Sequence, residues 1–449
     1  MKRKISVILV ICVLLCSVLS ACGEVANDPD KKDVNEKNSN GFAVALASYP
    51  ELPKYPTDEF GTGYAEWSQA YKELRGDVFD NSPIADFIAK TARAFLTGNE
   101  SSNAIYSPTN VYIALAMLAE IGGGETRTQI LDLLGADSAE SLRTYVNALW
   151  NRGYCDDGTV SEIQAASLWM NDSVEYKKDV LKTLADFYRA SSFSGKCGDP
   201  EYDKALRGWI NEQTGGLLKD ATDNIAMDVN TVLELITTIY FSAKWDGEFE
   251  QALNTDGTFN NTCDEFCTYM HRTIANGRYL YGDNFGSVTL DFTNSGGMSF
   301  FLPNEGTAPE DLLDDSEFLN LLFGESKYDW EKSKNIRINF TMPKFDVKSD
   351  IELSKKLESL GVTNCFDVDK ADFTTLTDSD AAVTKVSHCA RVSADEQGVI
   401  AAAFTEIALC GSALPPEEEM DFTLDRPFVF VINDAVGTPI FIGVVNHVE

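Results

Sequence analysis

Ala394-Asp-Glu-Gln-Gly398-Val-Ile-Ala-Ala-Ala-Phe-Thr-Glu-Ile-Ala-Leu-Cys-Gly-Ser-Ala-Leu-Pro415-Pro416 is the stretch on which the fold turns. Read two residues at a time, Val399, Ala401, Ala403, Thr405, Ile407 and Leu409 share one face, the alternation of a half-buried strand. The run is about fifteen residues long, more than twice a typical strand of ~5–6. It closes in Gly411-Ser412-Ala413 and Pro415-Pro416, which read as an exposed, extended loop. One segment is therefore competent both as loop and as strand. A long edge hairpin is the plainer alternative.

Working outward, His388–Ala394 precedes this stretch with strand character, and Phe428–Ile432 and Ile440–Val445 follow it. Further strands are expected at Ile163–Trp169, Val232–Phe241, Tyr279–Tyr281, Val288–Phe292, Ser299–Leu302 and Ile336–Met342. Helices are expected earlier. Ile84 to Phe95 has apolar residues at helical spacing with Pro83 in its first turn. Val111, Ala114, Leu115, Leu118 and Ala119 mark a second helix, and 126–134 and 139–150 mark two more. No segment repeats at a fixed period. Helices come first and strands mostly after, which favours an α+β fold over a doubly wound sheet.

The first 81 residues read differently. Lys2-Arg3-Lys4 opens a basic start, and Ile5 to Leu19 is an apolar core too short to span a bilayer. It ends in Leu19-Ser20-Ala21-Cys22, similar to a bacterial lipobox. Residues 1–21 are expected to be a lipoprotein signal peptide and Cys22 the lipidated N-terminus. Acyl chains contribute ~0.8 kcal/mol per buried CH2, so two or three long chains hold a protein on a membrane durably. Residues 22–81 are polar, charge-rich and interrupted by proline, and are expected to form a flexible tether with a short helix within Tyr64–Leu74. The folded domain is then 82–449, lipid-anchored at the cell surface on the outer face of a bacterial membrane.

Composition removes several functions. A net charge of −33 argues against nucleic acid or heparin as a partner, since both need clustered Lys and Arg. With three histidines, His271, His388 and His447, no metal site or cofactor is expected. No G-x-S-x-G, H-E-x-x-H or P-loop is present, so the chain does not read as an enzyme. Gly122-Gly123-Gly124 has no lysine to cradle phosphate and reads as a turn. After Cys22 seven cysteines remain, an odd number that leaves at least one thiol free; Cys263 and Cys267 either bridge or are buried.

Taken together, 394–416 resembles the hinge and reactive-centre loop of the serpin family, the serine protease inhibitors, and the resemblance runs from about Ser82 to Glu449. Asn103-Ala-Ile-Tyr-Ser-Pro-Thr-Asn-Val-Tyr-Ile-Ala-Leu-Ala-Met-Leu118 resembles the family's second helix, and Gly124-Glu-Thr-Arg-Thr-Gln-Ile130 the next turn. Thr238-Ile-Tyr-Phe-Ser-Ala-Lys-Trp245, Met342-Pro-Lys-Phe345 and the tail from Asp425 to Gly443 complete five pieces in order.

The resemblance implies helices on a large five-stranded sheet, smaller sheets, and an exposed loop that a target protease attacks. The cleaved loop then inserts into the sheet and carries the acyl-enzyme with it. An inserted strand of ~15 residues gains up to ~30 backbone hydrogen bonds at ~0.5–1.5 kcal/mol net. A typical protease is held folded by only ~5–15 kcal/mol.

The resemblance also assigns residues. Glu396, Gly398, Val399, Ala401, Ala402 and Ala403 are the hinge, small and uncharged after Glu396. Phe404 departs from a usually small position and is expected to face solvent after insertion. The scissile bond falls at Ser412–Ala413, preceded by Leu409, Cys410 and Gly411, with Cys410–Gly411 and Leu409–Cys410 as alternatives. Ser412 points to elastase-like or subtilisin-like proteases and away from trypsin-like ones. Lys344 and Glu396 match a salt-bridged pair beside Trp245 where the loop first inserts. Ser107, Asn110 and His388 match a hydrogen-bonded cluster at mid-sheet, with Thr237 where the family usually has Asn. Cys410 is expected to be an exposed, oxidisable thiol, and Glu417-Glu418-Glu419 either meets a basic protease rim or is a solvated turn.

The expected function is suicide inhibition by a monomer, with the target serine protease as covalent partner. A non-inhibitory scaffold on the same fold, or a small-solute-binding lipoprotein, are the alternatives.

Overall fold

The computed structural model describes residues 8–16, 39–56, 61–76, 79–98, 102–215, 225–261, 264–293, 296–323, 330–399 and 418–448. In chain order the elements begin with β1 (Ile8–Cys16), β2 (Ala43–Ala45), α1 (Tyr64–Arg75), α2 (Ser82–Leu96), β3 (Ala104–Tyr106) and α3 (Pro108–Ile121). Then come α4 (Gly124–Leu134), α5 (Ala139–Gly153), β4 (Cys155–Asp156), β5 (Val160–Asn171), α6 (Lys178–Tyr188), β6 (Ala190–Gly195) and α7 (Pro200–Gln213). The second half is mostly strand: β7 (Thr231–Lys244), β8 (Thr255–Phe259), β9 (Glu265–Tyr281), β10 (Phe285–Asp291), β11 (Gly297–Pro303), α8 (Ser316–Phe323), β12 (Ser333–Pro343) and β13 (Phe345–Glu352). It closes with α9 (Ser354–Ser359), β14 (Ala382–Ala394), β15 (Gly398–Val399), β16 (Glu419–Thr423), β17 (Phe428–Asn433) and β18 (Pro439–Val445).

Two nine-stranded sheets organise the molecule. The first is built on five strands, β6, β5, β7, β14 and β13; β2 extends its β6 edge and β4 folds back on β5. Between β7 and β14 lies a slot, filled at one end by the two residues of β15 and along the rest by β1. The second sheet runs β16-β12-β9-β10-β11-β17-β18-β3, with β8 on β9.

Side-chain period explains the layering. Along β7, Leu233, Leu235, Thr237, Ile239, Phe241 and Ala243 face inward: the lower ones onto the helices and the upper ones onto the second sheet. Ile236 faces the other way, into a cluster with Trp169 and Phe193 that Leu206, Trp209 and Ile210 of α7 cover. All fourteen residues of α3 are buried, and its polar Asn110 and Glu120 are engaged by Thr237 and Arg143. Ser107 caps it by accepting from the Asn110 amide, and Pro108 takes the first turn, where its missing N–H costs nothing.

The expectation of a flexible tether to residue 81 is corrected for the described part of that segment. Ala43 and Ala45 pair with Phe193 and Ser192 of β6, and the Ala47 amide donates to Ser191 Oγ at 3.0 Å. Tyr49 meets Trp150 with ring centroids 5.6 Å apart, and the Tyr55 amide donates to the Asp157 carbonyl at 2.8 Å. Trp67 and Tyr71 of α1 are buried in the cluster between the sheets. Aromatic anchors spaced irregularly in a polar stretch bind this arm to the domain, and average composition hides them. Ile8–Cys16, the centre of the expected leader, is a strand in the slot.

Cys155, Cys197, Cys267, Cys365 and Cys389 are free thiols, all buried except half-buried Cys389. Cys267 is thus buried and unbridged.

Candidate functional site

The slot between β7 and β14 is where the assigned residues gather, in two groups. At its upper end β14 finishes at Ala394, and a tight loop brings the chain back as Gly398–Val399. The Asp395 carboxylate builds that loop by accepting from the Gln397 and Gly398 amides at 2.8 and 3.2 Å. Val399 then pairs with Ala394 on one side and Ala243 on the other, so the hinge already stands between the two strands.

Lys344 Nζ lies 2.5 Å from Glu396 Oε1, as the resemblance implied, and Asn254 Nδ2 donates to the same oxygen at 2.6 Å. Burial alone raises the Glu396 carboxyl, but the hydrogen bonds from Lys344 and Asn254 outweigh it and hold the group below the ordinary glutamate range. The Trp245 indole donates to the Asp395 carbonyl at 2.9 Å, and its ring stacks on Phe292 at 5.2 Å. Phe249 closes the group, its amide donating to the Glu396 carbonyl at 2.9 Å.

Asn254, Asp395, Phe249 and Phe292 were not singled out from sequence. Asp395 alone carried a signal, an Asp followed three residues later by Gly in a turn.

Gly398 occupies its place for a steric reason. A Cβ there would stand 2.2 Å from the Ala243 carbonyl oxygen and 2.8 Å from Lys244 Cα. The glycine there serves the close approach of a neighbouring strand rather than backbone freedom.

The second group sits at mid-slot beneath the sheet. Thr237 Oγ1 donates to Asn110 Oδ1 at 3.0 Å, and the Ser107 amide donates to His388 Nε2 at 3.0 Å. Thr237 thus bonds Asn110 from the position where the resemblance puts an Asn. Ser107, Asn110, Thr237 and His388 are each about 1% exposed or less. Because Nε2 accepts, the proton of a neutral His388 sits on Nδ1, and that atom has no partner among the described residues. Burial pushes the imidazole down to about 3, so it is neutral at physiological pH.

Beyond the slot, part of the acidic run is engaged by its own sheet. Glu418 Oε1 accepts from Lys334 Nζ at 2.8 Å, and Asn339 Nδ2 donates to Glu419 and Asp421 at 2.8 and 2.9 Å. Glu418 and Glu419 therefore read as local structure first.

Ala401, Ala402, Ala403, Phe404, Leu409, Cys410, Gly411, Ser412, Ala413 and Cys22 lie outside the described residues. His271 bridges Thr255 and Thr341, and His447 contacts Glu265. Among the described residues no group of His, Cys and acids has a metal-holding arrangement.

Residues 82–448 match the family model described as Serpin (serine protease inhibitor). The chain is 26% identical over 393 residues to Serpin-ZX of Arabidopsis thaliana, covering 83% of this chain and 98% of that protein. It is 27% identical over 380 residues to an alpha-1-antiproteinase of Callosciurus caniceps, covering 82% and 88%. Among solved structures, the thermophilic serpin tengpin in its native state superposes with a TM-score of 0.72 at 24% identity, over 91% of this chain and all of that one.

Proposed function

Since the chain belongs to the serpin family, we propose that it is an irreversible inhibitor of serine endopeptidases that traps the acyl-enzyme by inserting its cleaved loop between β7 and β14. Serpin loop insertion is itself an established example of strand addition.

The observation that carries this reading is the match between the slot and the loop. β7 is 14 residues long, and Gly398 pairs with Lys244, its last residue. Continued one residue per rung, the ladder would end with Gly411 opposite Thr231, the first residue of β7. Ser412 would be the first residue beyond the strand, carrying its acyl bond to the far end of the sheet. The same ladder turns Val399, Ala401, Ala403, Thr405, Ile407 and Leu409 toward the inward face of β7, so the alternation of the sequence fits the core it would meet. Thr405 would stand between Thr237 and His388.

Phe404 would fall opposite Thr238 and Cys389, on the face α7 covers. Thr238 is fully buried there, and Cys389 packs on the edge of the α7 cluster. On that register the ring would lie against protein, in contrast to the solvent-facing position expected from alternation alone.

Small, uncharged Ser412 supports elastase-like or subtilisin-like targets, since a trypsin-like pocket calls for Arg or Lys. The basic leader over residues 1–21, followed by Cys22, supports a lipid anchor on the outer face of a bacterial membrane, with a monomer that takes the protease as its macromolecular partner.

The test mixes the chain beginning at Cys22 with an elastase and looks, by denaturing gel and mass spectrometry, for a covalent adduct and a released peptide. An adduct whose peptide begins at Ala413 is expected. Cleavage without an adduct across elastase-, subtilisin- and chymotrypsin-like enzymes would turn the reading to a non-inhibitory scaffold.

A further inference from the structure

β1 has a place that the inhibitory reading leaves unexplained. Ile8-Leu-Val-Ile-Cys-Val-Leu-Leu-Cys16 runs parallel to β7 and β14 and pairs with both. Val13 stands opposite Thr237 on one side and His388 on the other, and Cys16 opposite Tyr240. These are the rungs that residues 402–411 of the loop would occupy. Hinge and leader divide the slot: Gly398–Val399 at Lys244 and Ala243, the leader from Tyr240 down to Thr231.

We propose that the retained leader is an internal competitor of the reactive loop, so that the unprocessed chain is cleaved by proteases without trapping them and removal of residues 1–21 arms it. The proposal rests on the trapping reading above. Three observations support it. First, the segment holds no charged residue and is rich in β-branched Ile and Val, which suits a central strand. Second, a strand hydrogen-bonded on both sides leaves no free ladder for the loop to join, and one slot admits one strand. Third, nine consecutive leader residues, Ile8 to Cys16, already pair with β7, whereas of the described hinge only Gly398 and Val399 stand between the two strands. The leader therefore holds the slot while it is covalently present and yields to the loop once it is gone.

The test uses the full chain made without export, so that the leader stays on, in wild-type form and as Val13→Pro. Proline removes a ladder N–H and is not tolerated in a central strand; Ile11→Asp, which places a charge in the same strand, is the second variant. Hydrogen exchange reads docking directly, and cleavage of the exposed loop by a non-target protease, followed by thermal unfolding, reads insertion without any trapping step. Expected are slow exchange at residues 8–16 in the wild type and fast exchange in both variants. Loop cleavage should leave the wild-type midpoint nearly unchanged and raise that of both variants by more than 10 °C. Fast exchange of 8–16 in the wild type, or an equal rise in all three, would overturn the proposal. Protected leader amides and a variant-only rise, with no adduct from any form, would uphold the competition and sink the trapping reading alone.

Discussion

The upper end of the slot and its middle join the same two strands by different physics. At the upper end Lys344 and Glu396 form an ion pair whose side chains are 34% and 15% exposed, with Asn254 and a tryptophan beside them. In the middle Ser107, Asn110, Thr237 and His388 are neutral, buried and joined by single hydrogen bonds. Water can replace a partner at the upper end as soon as it opens, whereas a mid-slot group that loses its partner is left dry. On the trapping reading, the upper end would therefore control when insertion begins, and the middle would make full opening costly unless a strand follows.

The sharpest way to break this contrast is to block the upper end sterically. Gly398→Val places carbon against the Ala243 carbonyl, which is backbone and cannot swing aside. Cleavage at the loop should continue while the fraction of protease trapped falls at least 10-fold, measured as the number of inhibitor molecules consumed per enzyme inactivated. An unchanged ratio would mean that the hinge takes another path.

Next in size is a mid-slot deletion. Asn110→Ala leaves the Thr237 hydroxyl buried without its acceptor, a loss of about 1–3 kcal/mol in unfolding free energy. Denaturant midpoints of the intact chain should report it. A loss below ~0.5 kcal/mol, the scale of an ordinary surface change, would show that the middle is as yielding as the upper end.

How far the sequence revealed all this follows the same division. Both groups were legible because their residues sit in contiguous pieces, Ser107 to Asn110, Trp245, Lys344 and Glu396 to Ala403, that keep their order along the chain. The strands β7, β14 and β17 were legible as short runs rich in apolar and β-branched residues, and β7 and β17 are buried on both faces over most of their length. Thr237 as a working substitute for Asn was not legible, since it depends on a 3.0 Å contact across 127 residues. Nor was the arm over 39–75, whose anchors Tyr49, Tyr55, Trp67 and Tyr71 obey no period. Much of β9 escaped notice because the inner and outer faces of its exposed stretches carry mixed residues. Helix α7 has polar residues enough to pass for a loop until the apolar face formed by Leu206, Trp209 and Ile210 meets the sheet.

A smaller effect sharpens the contrast by pH. The folded His388 titrates near 3, below the ~6.5 of an unfolded histidine, so the unfolded chain binds the extra proton between those values. The stability it contributes is whole above pH ~6.5 and drains as pH falls toward 3, by up to ~1.4 kcal/mol per unit. Asp434, pushed up to about 6 by burial, and Glu162, raised by burial and then by Asp434, take protons earlier in the folded chain and act with the opposite sign. The clean measurement is thus a difference: the stability of the wild type minus that of His388→Gln, constant above pH 6.5 and shrinking below it. A difference that stays flat from pH 7 to 4 would remove the buried neutral imidazole from the account.

The smallest expected effect on stability is also the most discriminating. Lys344→Ala removes an ion pair with a half-exposed lysine, and such pairs contribute ~0–1 kcal/mol in water, less at high salt. Unfolding should therefore barely change. Glu396 keeps Asn254 as a donor, so its carboxylate is not stranded, although its position loosens. What should change is timing, because the Glu396 backbone carbonyl holds Phe249 while its side chain holds the hinge to Lys344, just beyond the end of β12. Stopped-flow measurement of insertion, with a fluorescent label beyond the hinge, should then show a rate altered several-fold at unchanged unfolding free energy. A rate that follows stability would merge the two regions into one energetic unit. A rate that moves alone would separate a gate at the upper end from a lock in the middle.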